Sequence, residues 1–197
     1  LLAETATNAG IHFLSTPFYL EAVEWLEPLV PAFKIASGDC NYTRLLETVA
    51  RTGKPILLST GASTLEEVLS AQQTISDIHK GMGLEPNLVL LHCVVSYPTT
   101  EDNANLSSLV DLSRLGTTIG YSDHTVGFEA AVLSVAMGAR LIEKHFTLDC
   151  NLPGPDHKAS LEPEELGLMV AAIRKIEQAL GDGVKQPSPS EVENLAI

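Results

Sequence analysis

Positively charged residues are scarce in this chain of 197 residues, which carries 12 Lys and Arg against 25 Asp and Glu. The resulting formal charge of −13 argues against non-specific binding to nucleic acid or to an anionic membrane, because such partners repel an acidic surface. An anionic substrate would therefore need cations placed locally at its binding site.

Cysteines and long apolar runs are also scarce. Cys40, Cys93 and Cys150 have spacings that match no zinc-knuckle or disulfide pattern, which favours a reducing cytoplasm over an export route. No run approaches the ~18 apolar residues of a membrane span, and the amino terminus is not basic or signal-like. With 45% hydrophobic residues, the sequence predicts a soluble, cytoplasmic domain with a sizeable core.

Six short apolar runs dominate the chain, and each ends in polar residues before a helical pattern begins. The runs cover residues 11–14, 33–36, 55–58, 88–91, 118–121 and 139–142. Near-continuous apolar strands that alternate with helices indicate a parallel sheet covered on both faces.

Helix signals separate the runs. Thr64-Leu65-Glu66-Glu67 resembles a capping box that begins a helix to about Lys80. Pro163 suits the first turn of a helix that ends before Gly181. Further helices are predicted at residues 1–8, 20–29, 42–52 and 128–137. The pattern predicts an α/β fold of about six strands and seven helices.

Two architectures account for this alternation: a (β/α)8 TIM barrel without its first two strands, or an open six-stranded sheet. In the first, residues 1–182 form a partial barrel with strands three to eight, and residues 183–197 form a linker toward an absent domain. That linker contains Gln186-Pro187-Ser188-Pro189-Ser190, and the chain does not begin with methionine. These 197 residues alone are expected to be inactive.

Two histidines lie 21 residues apart, each just after an apolar run: His124 in Ser122-Asp123-His124 and His145 in Glu143-Lys144-His145. Neighbouring parallel strands lie about 4.8 Å apart, so both imidazoles can reach one ion. Two protein ligands leave positions for water and substrate, as a Lewis acid that polarises a carbonyl requires. Imidazole nitrogens bind Mn, Co, Ni and Zn, so the ligand type does not identify the metal. Alternatively, each histidine is a structural residue that makes hydrogen bonds at the end of its strand.

Hydroxyl side chains end four of the predicted strands, at Thr16, Ser37, Ser59 and Ser122. If the sheet closes, they converge as donors for an anion, whereas the alternative is that they are helix N-caps. Lys34 is unusual near the end of an apolar strand, because a buried ammonium group is costly unless it is paired.

Several motifs together resemble the catalytic barrel of the sialic acid synthase family. In order they are Lys34-Ile35-Ala36-Ser37-Gly38-Asp39, Ser59-Thr60-Gly61, Leu91-His92-Cys93 with Ser96-Tyr97-Pro98, residues 121–125, residues 143–149 and Gly154-Pro155-Asp156-His157. The resemblance runs from about Ile11 to Leu180. It implies that two barrel strands, with a catalytic glutamate and a second lysine, and a carboxyl-terminal antifreeze-like domain lie outside this chain.

The resemblance implies an enzyme that condenses phosphoenolpyruvate with N-acetylmannosamine to give N-acetylneuraminate and phosphate, through a metal-activated aldehyde and C–O cleavage. A related N-acetylated amino sugar would make it a legionaminic or pseudaminic acid synthase. A non-catalytic, sugar-binding barrel fragment is a further alternative. The implied metal is Mn²⁺ on His124 and His145, with Co²⁺ or Mg²⁺ as alternatives, and the full-length protein is expected to be a homodimer.

The resemblance also implies roles for individual residues. Lys34 matches the lysine that meets the enolpyruvate, and Asp39 matches a position that binds the amino sugar or assists proton transfer. Tyr97 and Asp156 match positions that contact the sugar. Phosphate contacts are expected at Thr16, Ser37, Ser59 and Ser122.

The remaining candidates have no assigned chemistry. Val95 stands where some relatives carry an asparagine that touches phosphate, so either Ser96 supplies that contact or it is lost. Cys93 is interpreted as a small packed side chain, because nothing nearby in the sequence provides a triad. His12 and His79 are interpreted as structural, with His79 near the end of a solvent-facing helix.

Overall fold

The computed structural model describes residues 1–191 and contains a five-stranded parallel sheet whose strands lie in chain order. The strands are β1 (Phe33–Ile35), β2 (Ile56–Ser59), β3 (Leu88–Cys93), β4 (Thr118–Asp123) and β5 (Leu141–Lys144). Every neighbouring pair is parallel, so a crossover connection joins each strand to the next. The predicted α/β alternation is confirmed for these five strands.

Helices lie before, between and after the strands, and those between two strands supply the crossovers. They are α1 (Leu2–Asn8), α2 (Leu20–Leu26), α3 (Thr43–Ala50), α4 (Leu65–Gly81), α5 (Glu101–Ala104), α6 (Ser108–Ser113), α7 (Glu129–Ala136) and α8 (Pro163–Leu180). The predicted capping box is present, since Thr64 Oγ1 accepts from the Glu67 N–H and the Glu67 carboxylate accepts from the Thr64 N–H. Within residues 1–191, no helix is long and apolar enough to cross a bilayer.

The prediction of a first strand at residues 11–14 is wrong. A run joins a sheet only if a neighbouring strand shares its backbone hydrogen bonds, and residues 12–18 make none with β1 in the described chain. The segment instead passes the inner side of the sheet, where Leu14 and Thr16 line a cavity together with Lys34 and Glu143. The open six-stranded sheet is therefore wrong as well.

The sheet is strongly curved. In a flat sheet β1 and β5 would lie about 19 Å apart, at about 4.8 Å for each of four steps. The Nζ atom of Lys34 on β1 nevertheless lies 3.6 Å from Oε2 of Glu143 on β5. The five strands therefore form a half-barrel of the TIM-barrel type, with the two side chains meeting across its inner face.

The core lies between the outer face of the half-barrel and the helices. Fully buried residues of this face are Phe33, Ile35, Ile56, Leu58 and Leu90. Burying each such side chain contributes roughly 1.5–3 kcal/mol. On the inner face Leu91 is fully buried, whereas Leu57, Val89 and Leu141 are only partly buried.

The predicted linker begins after α8. Residues 183–191 are largely exposed and contain a single short helical turn at their end, consistent with a connecting segment. The remainder of the predicted linker, residues 192–197, lies outside the described residues. The division of the chain at residue 182 stays a prediction.

His79 is buried, and its interpretation as part of a solvent-facing helix is wrong. It is 1% exposed in the last turn of α4, and neither ring nitrogen has a hydrogen-bond partner among residues 1–191. A buried polar group without a partner costs about 1–3 kcal/mol. We therefore expect His79→Leu to raise the free energy of unfolding by about 1 kcal/mol or more, measured by urea denaturation of the full-length protein.

The matched control is His12→Leu, at a histidine that is exposed. It makes the same replacement of histidine by leucine without removing a buried polar group. The free energy of unfolding of this variant should therefore stay within about 0.5 kcal/mol of the parent. A His79→Leu protein less stable than the parent would contradict the expectation.

Candidate functional site

A cavity of about 340 Å³ opens at the carboxyl ends of the strands. Eight of the ten site residues predicted from the sequence line it: Thr16, Lys34, Ser37, Ser59, Tyr97, Ser122, His124 and His145. They come from the segment before α2, from the ends of β1, β2, β4 and β5, and from the loop after β3. The curvature of the sheet thus gathers residues that are up to 129 positions apart in the chain.

The other two predicted residues, Asp39 and Asp156, do not line this cavity. Asp39 ends a 3-10 turn, Ser37–Asp39, in which side chains two positions apart point about 120° away from each other. Burial raises the pKa of its carboxyl group. Asp156 is exposed on the loop after β5 and lies outside the cavity wall. Burial, followed by nearby negative charge that includes Asp156, raises the pKa of Tyr97.

The imidazoles of His124 and His145 are adjacent, with ring centroids 5.2 Å apart. Nδ1 of His124 lies 2.8 Å from the carbonyl oxygen of Val94. A ring nitrogen that bonds a carbonyl carries the proton, so Nε2 of a neutral His124 keeps a free lone pair. Burial, followed by the charge of His124, lowers the pKa of His145 and favours its neutral form. Tyr97 packs against His124, with ring centroids 4.2 Å apart.

This pair fits part of a metal site. Neutral imidazoles are the form that binds divalent ions, and these two come from adjacent strands. Among residues 1–191, no group of three or more His, Cys, Asp or Glu side chains is placed to hold one ion. The described residues therefore place two imidazoles side by side, and their binding of a metal ion stays a prediction.

Glu143 was not among the residues predicted for the site. Its Oε1 accepts a hydrogen bond of 2.7 Å from Ser122 Oγ, and its Oε2 lies 3.6 Å from Lys34 Nζ. The Lys34 side chain is 12% exposed, so this carboxylate provides the charge that a buried ammonium needs. The period of two along a strand could have identified Glu143, because it places residue 143 on the same face as His145.

Two serines offer free hydroxyl groups to the cavity. Ser59 is 2% exposed, and its Oγ has no hydrogen-bond partner among residues 1–191. Ser37 Oγ accepts from the Gly61 N–H at 3.0 Å, which leaves its own proton free to donate. A Cβ at Gly61 would lie 2.9 Å from Ser37 Oγ and 2.7 Å from a methyl group of Val95, so only glycine allows this approach. The wall is therefore rich in donors for an anion.

The model of the NeuB family matches residues 1–185. The chain belongs to this family. The resemblance to the sialic acid synthases is thereby confirmed, because synthases of this family align along nearly the whole chain.

NeuB-family relatives include the N,N'-diacetyllegionaminic acid synthase of Campylobacter jejuni, which is 44% identical over 98% of this chain and 57% of its own length. The N-acetylneuraminate-9-phosphate synthase of Mus musculus is 38% identical over 97% of this chain and 52% of its own length. The chain thus spans about half the length of these curated relatives.

A solved structure shows the same fold. The N-acetylneuraminic acid synthetase of Leptospira borgpetersenii serovar Hardjo-bovis, crystallised with citrate, superposes with a TM-score of 0.92 at 38% identity. The match covers 99% of this chain and 67% of that protein. The half-barrel is therefore similar to the corresponding part of a solved sialic acid synthase.

Val95 lines the cavity of this NeuB-family chain, whereas Ser96 does not. Ser96 is exposed, and its hydroxyl donates to the carbonyl oxygen of Pro98 at 3.2 Å. Ser96 therefore lies outside the described cavity wall, and whether it supplies the expected phosphate contact stays a prediction. Cys93 is 6% exposed, with its Sγ 3.9 Å from His124 Nδ1, as expected for a packed side chain.

Proposed function

We propose that the full-length protein carrying this chain is a phosphoenolpyruvate-dependent nonulosonic acid synthase, which joins phosphoenolpyruvate to an N-acetylated amino sugar and releases phosphate. The observation that carries the proposal is the single cavity that combines a pair of imidazoles with an ammonium group and free hydroxyls. Membership of the NeuB family supports it.

Lys34 is proposed to meet the negative charge of phosphoenolpyruvate. Its distance of 3.6 Å from Glu143 exceeds the ~2.7–2.9 Å of a tight charge-assisted hydrogen bond, so the ammonium group can turn toward a second anion. Ser59 and Ser37 add hydroxyl donors that no other acceptor in the described chain engages. Thr16 adds a further hydroxyl to the proposed anion-binding wall, whereas the hydroxyl of Ser122, also proposed to contact phosphate, would first have to leave Glu143.

The proposed reaction has three steps: C–C bond formation, addition of water and release of phosphate. The electron pair of the enol double bond forms a C–C bond from the methylene carbon to the aldehyde carbon, whose oxygen takes a proton. Water adds to the cationic carbon that remains and loses a proton. Cleavage of the C–O bond to the phosphate group then expels phosphate, which takes the proton of the new hydroxyl group, and leaves a ketone.

His124 and His145 would hold a divalent ion, proposed to be Mn²⁺, which when bound polarises the aldehyde of the sugar. Tyr97, packed on His124, and Asp156, on the loop after β5, are proposed to orient the sugar. Asp39 lies outside the cavity wall, so no step is assigned to it.

Two kinds of acceptor are candidates. N-acetylmannosamine would give N-acetylneuraminate, and an amino sugar with two acetamido groups would give a legionaminic-type product. The higher identity to the diacetyllegionaminic acid synthase, 44% against 38% for the N-acetylneuraminate-9-phosphate synthase, favours the second acceptor.

The test is phosphate release by the full-length protein with Mn²⁺, phosphoenolpyruvate and a panel of acceptors: N-acetylmannosamine, its 6-phosphate and a diacetamido sugar. Phosphate should appear only with an acceptor, and the preferred acceptor should show the highest kcat/KM. With ¹⁸O in the bridging C–O–P position, the label should leave with phosphate, because the C–O bond breaks.

A reaction without added acceptor is the control. Label retained in the sugar acid would contradict C–O cleavage, and sugar binding without phosphate release would favour a non-catalytic sugar-binding protein.

A further inference from the structure

A buried ion pair joins the two strand ends that carry the histidines. Lys144 Nζ lies 2.9 Å from Asp123 Oδ2, and the side chains are 3% and 0% exposed. The register of β4 and β5 places Asp123 directly opposite Lys144. Because side chains alternate along a strand, this pair lies on the outer face, behind the hydrogen bond from Ser122 to Glu143 on the inner face.

Both members of the pair also bind the chain beside His124. Asp123 Oδ1 accepts from the N–H and from the hydroxyl of Thr125, each at 2.8 Å. Lys144 Nζ donates to the carbonyl oxygen of Thr125. The residues on either side of His124 are thus tied to the residue that precedes His145.

Stability alone does not explain a charged pair at this position. Removing two charges from water costs free energy that their attraction returns only in part, and apolar replacements are often neutral or stabilising. What a directional pair provides is one defined register between two strands, and a slip by one residue would turn every side chain to the opposite face. In β5 such a slip would exchange Glu143 and Lys144 between the faces.

We propose that Asp123 and Lys144 are a positioning pair, which sets the separation and orientation of the His124 and His145 rings for binding a divalent ion. The proposal rests on the function proposed above for those two histidines. Neither Asp123 nor Lys144 lines the cavity, so they act through the backbone and not on the substrate.

The test uses the double variant Asp123→Asn/Lys144→Met in the full-length protein. Asparagine keeps an oxygen that can accept from Thr125, and methionine keeps most of the lysine's length, so no unpaired charge is buried. We expect a melting temperature close to that of the parent but an affinity for Mn²⁺ lowered by about tenfold or more, as for other groups that orient metal ligands. The kcat should fall, while the KM for phosphoenolpyruvate changes little.

Arg174→Met is the matched control. It removes an exposed ion pair with Glu177 at 2.8 Å on α8, without touching β4 or β5. The Mn²⁺ affinity of this variant should equal that of the parent, which shows that loss of an ion pair elsewhere has no such effect.

Crystal structures of the metal-free parent and double variant give a readout that does not depend on the proposed reaction. The ring centroids, 5.2 Å apart here, should be displaced in the double variant. An unchanged ring arrangement together with unchanged Mn²⁺ affinity would overturn the proposal, and so would failure of the double variant to fold. If the parent binds no Mn²⁺, the function proposed for the histidines fails, and the ring arrangement alone decides the role of the pair.

Discussion

Alanine at His124 or at His145 should lower kcat of the full-length protein by about a thousandfold or more. A bound metal that polarises a carbonyl supplies several kcal/mol of transition-state stabilisation, and about 1.4 kcal/mol corresponds to tenfold in rate. Either substitution leaves a single imidazole at the site, so Mn²⁺ binding measured by calorimetry should be lost with activity. Treatment with EDTA should remove activity reversibly while the fold survives.

Stability should change little in these variants. His145 is half-buried, so its loss should cost about 1 kcal/mol or less. His124 also loses its hydrogen bond to Val94, which adds about 1 kcal/mol. His12→Ala, at an exposed imidazole, is the control and should keep full activity. Full activity in metal-free protein would rule out the assignment of these ligands.

Lys34→Ala should lower kcat/KM for phosphoenolpyruvate by roughly thirtyfold or more, because one charge-assisted contact to the substrate is lost. This factor corresponds to a loss of about 2 kcal/mol in transition-state stabilisation. Steady-state kinetics with phosphoenolpyruvate as the varied substrate measure this effect. Stability should be nearly unchanged, since the Glu143 side chain that loses its partner is 40% exposed and can be solvated.

Glu143→Gln separates the two roles of Lys34. It removes the ion pair but leaves an oxygen that can accept from Ser122, so phosphoenolpyruvate should bind at least as tightly as in the parent, measured by calorimetry. If Lys34→Ala left kcat/KM unaltered and lowered the melting temperature strongly, Lys34 would be a structural member of the ion pair.

The strand ends were predictable because polar residues after apolar runs mark the carboxyl edge of a parallel sheet. Residues 11–14 have the same pattern, but a strand also needs a neighbour, which a local pattern does not reveal. His79 could have been predicted, since Val68, Ala71, Ile75 and His79 are spaced by three, four and four residues along the buried stripe of α4.

Glu143 and Asp39 show where local patterns stop being sufficient. The contact of Glu143 with Lys34 depends on the curvature of the whole sheet, which brings together strands that are four positions apart. The direction of Asp39 depends on a 3-10 turn after β1 that no spacing in the sequence marks. The first is a tertiary effect and the second is a local turn, and the chemistry of both residues was visible in the sequence.

The cavity wall is electrically balanced. Among its described residues, one ammonium group, on Lys34, faces one carboxylate, on Glu143, and the rest are neutral when both histidines are unprotonated. A multiply charged anion that binds alone gives the occupied cavity a net negative charge, and a divalent cation that binds alone gives it a net positive charge. Each therefore favours the arrival of the other, and because such coupling is reciprocal, the affinity for either species becomes a function of the concentration of its counterpart.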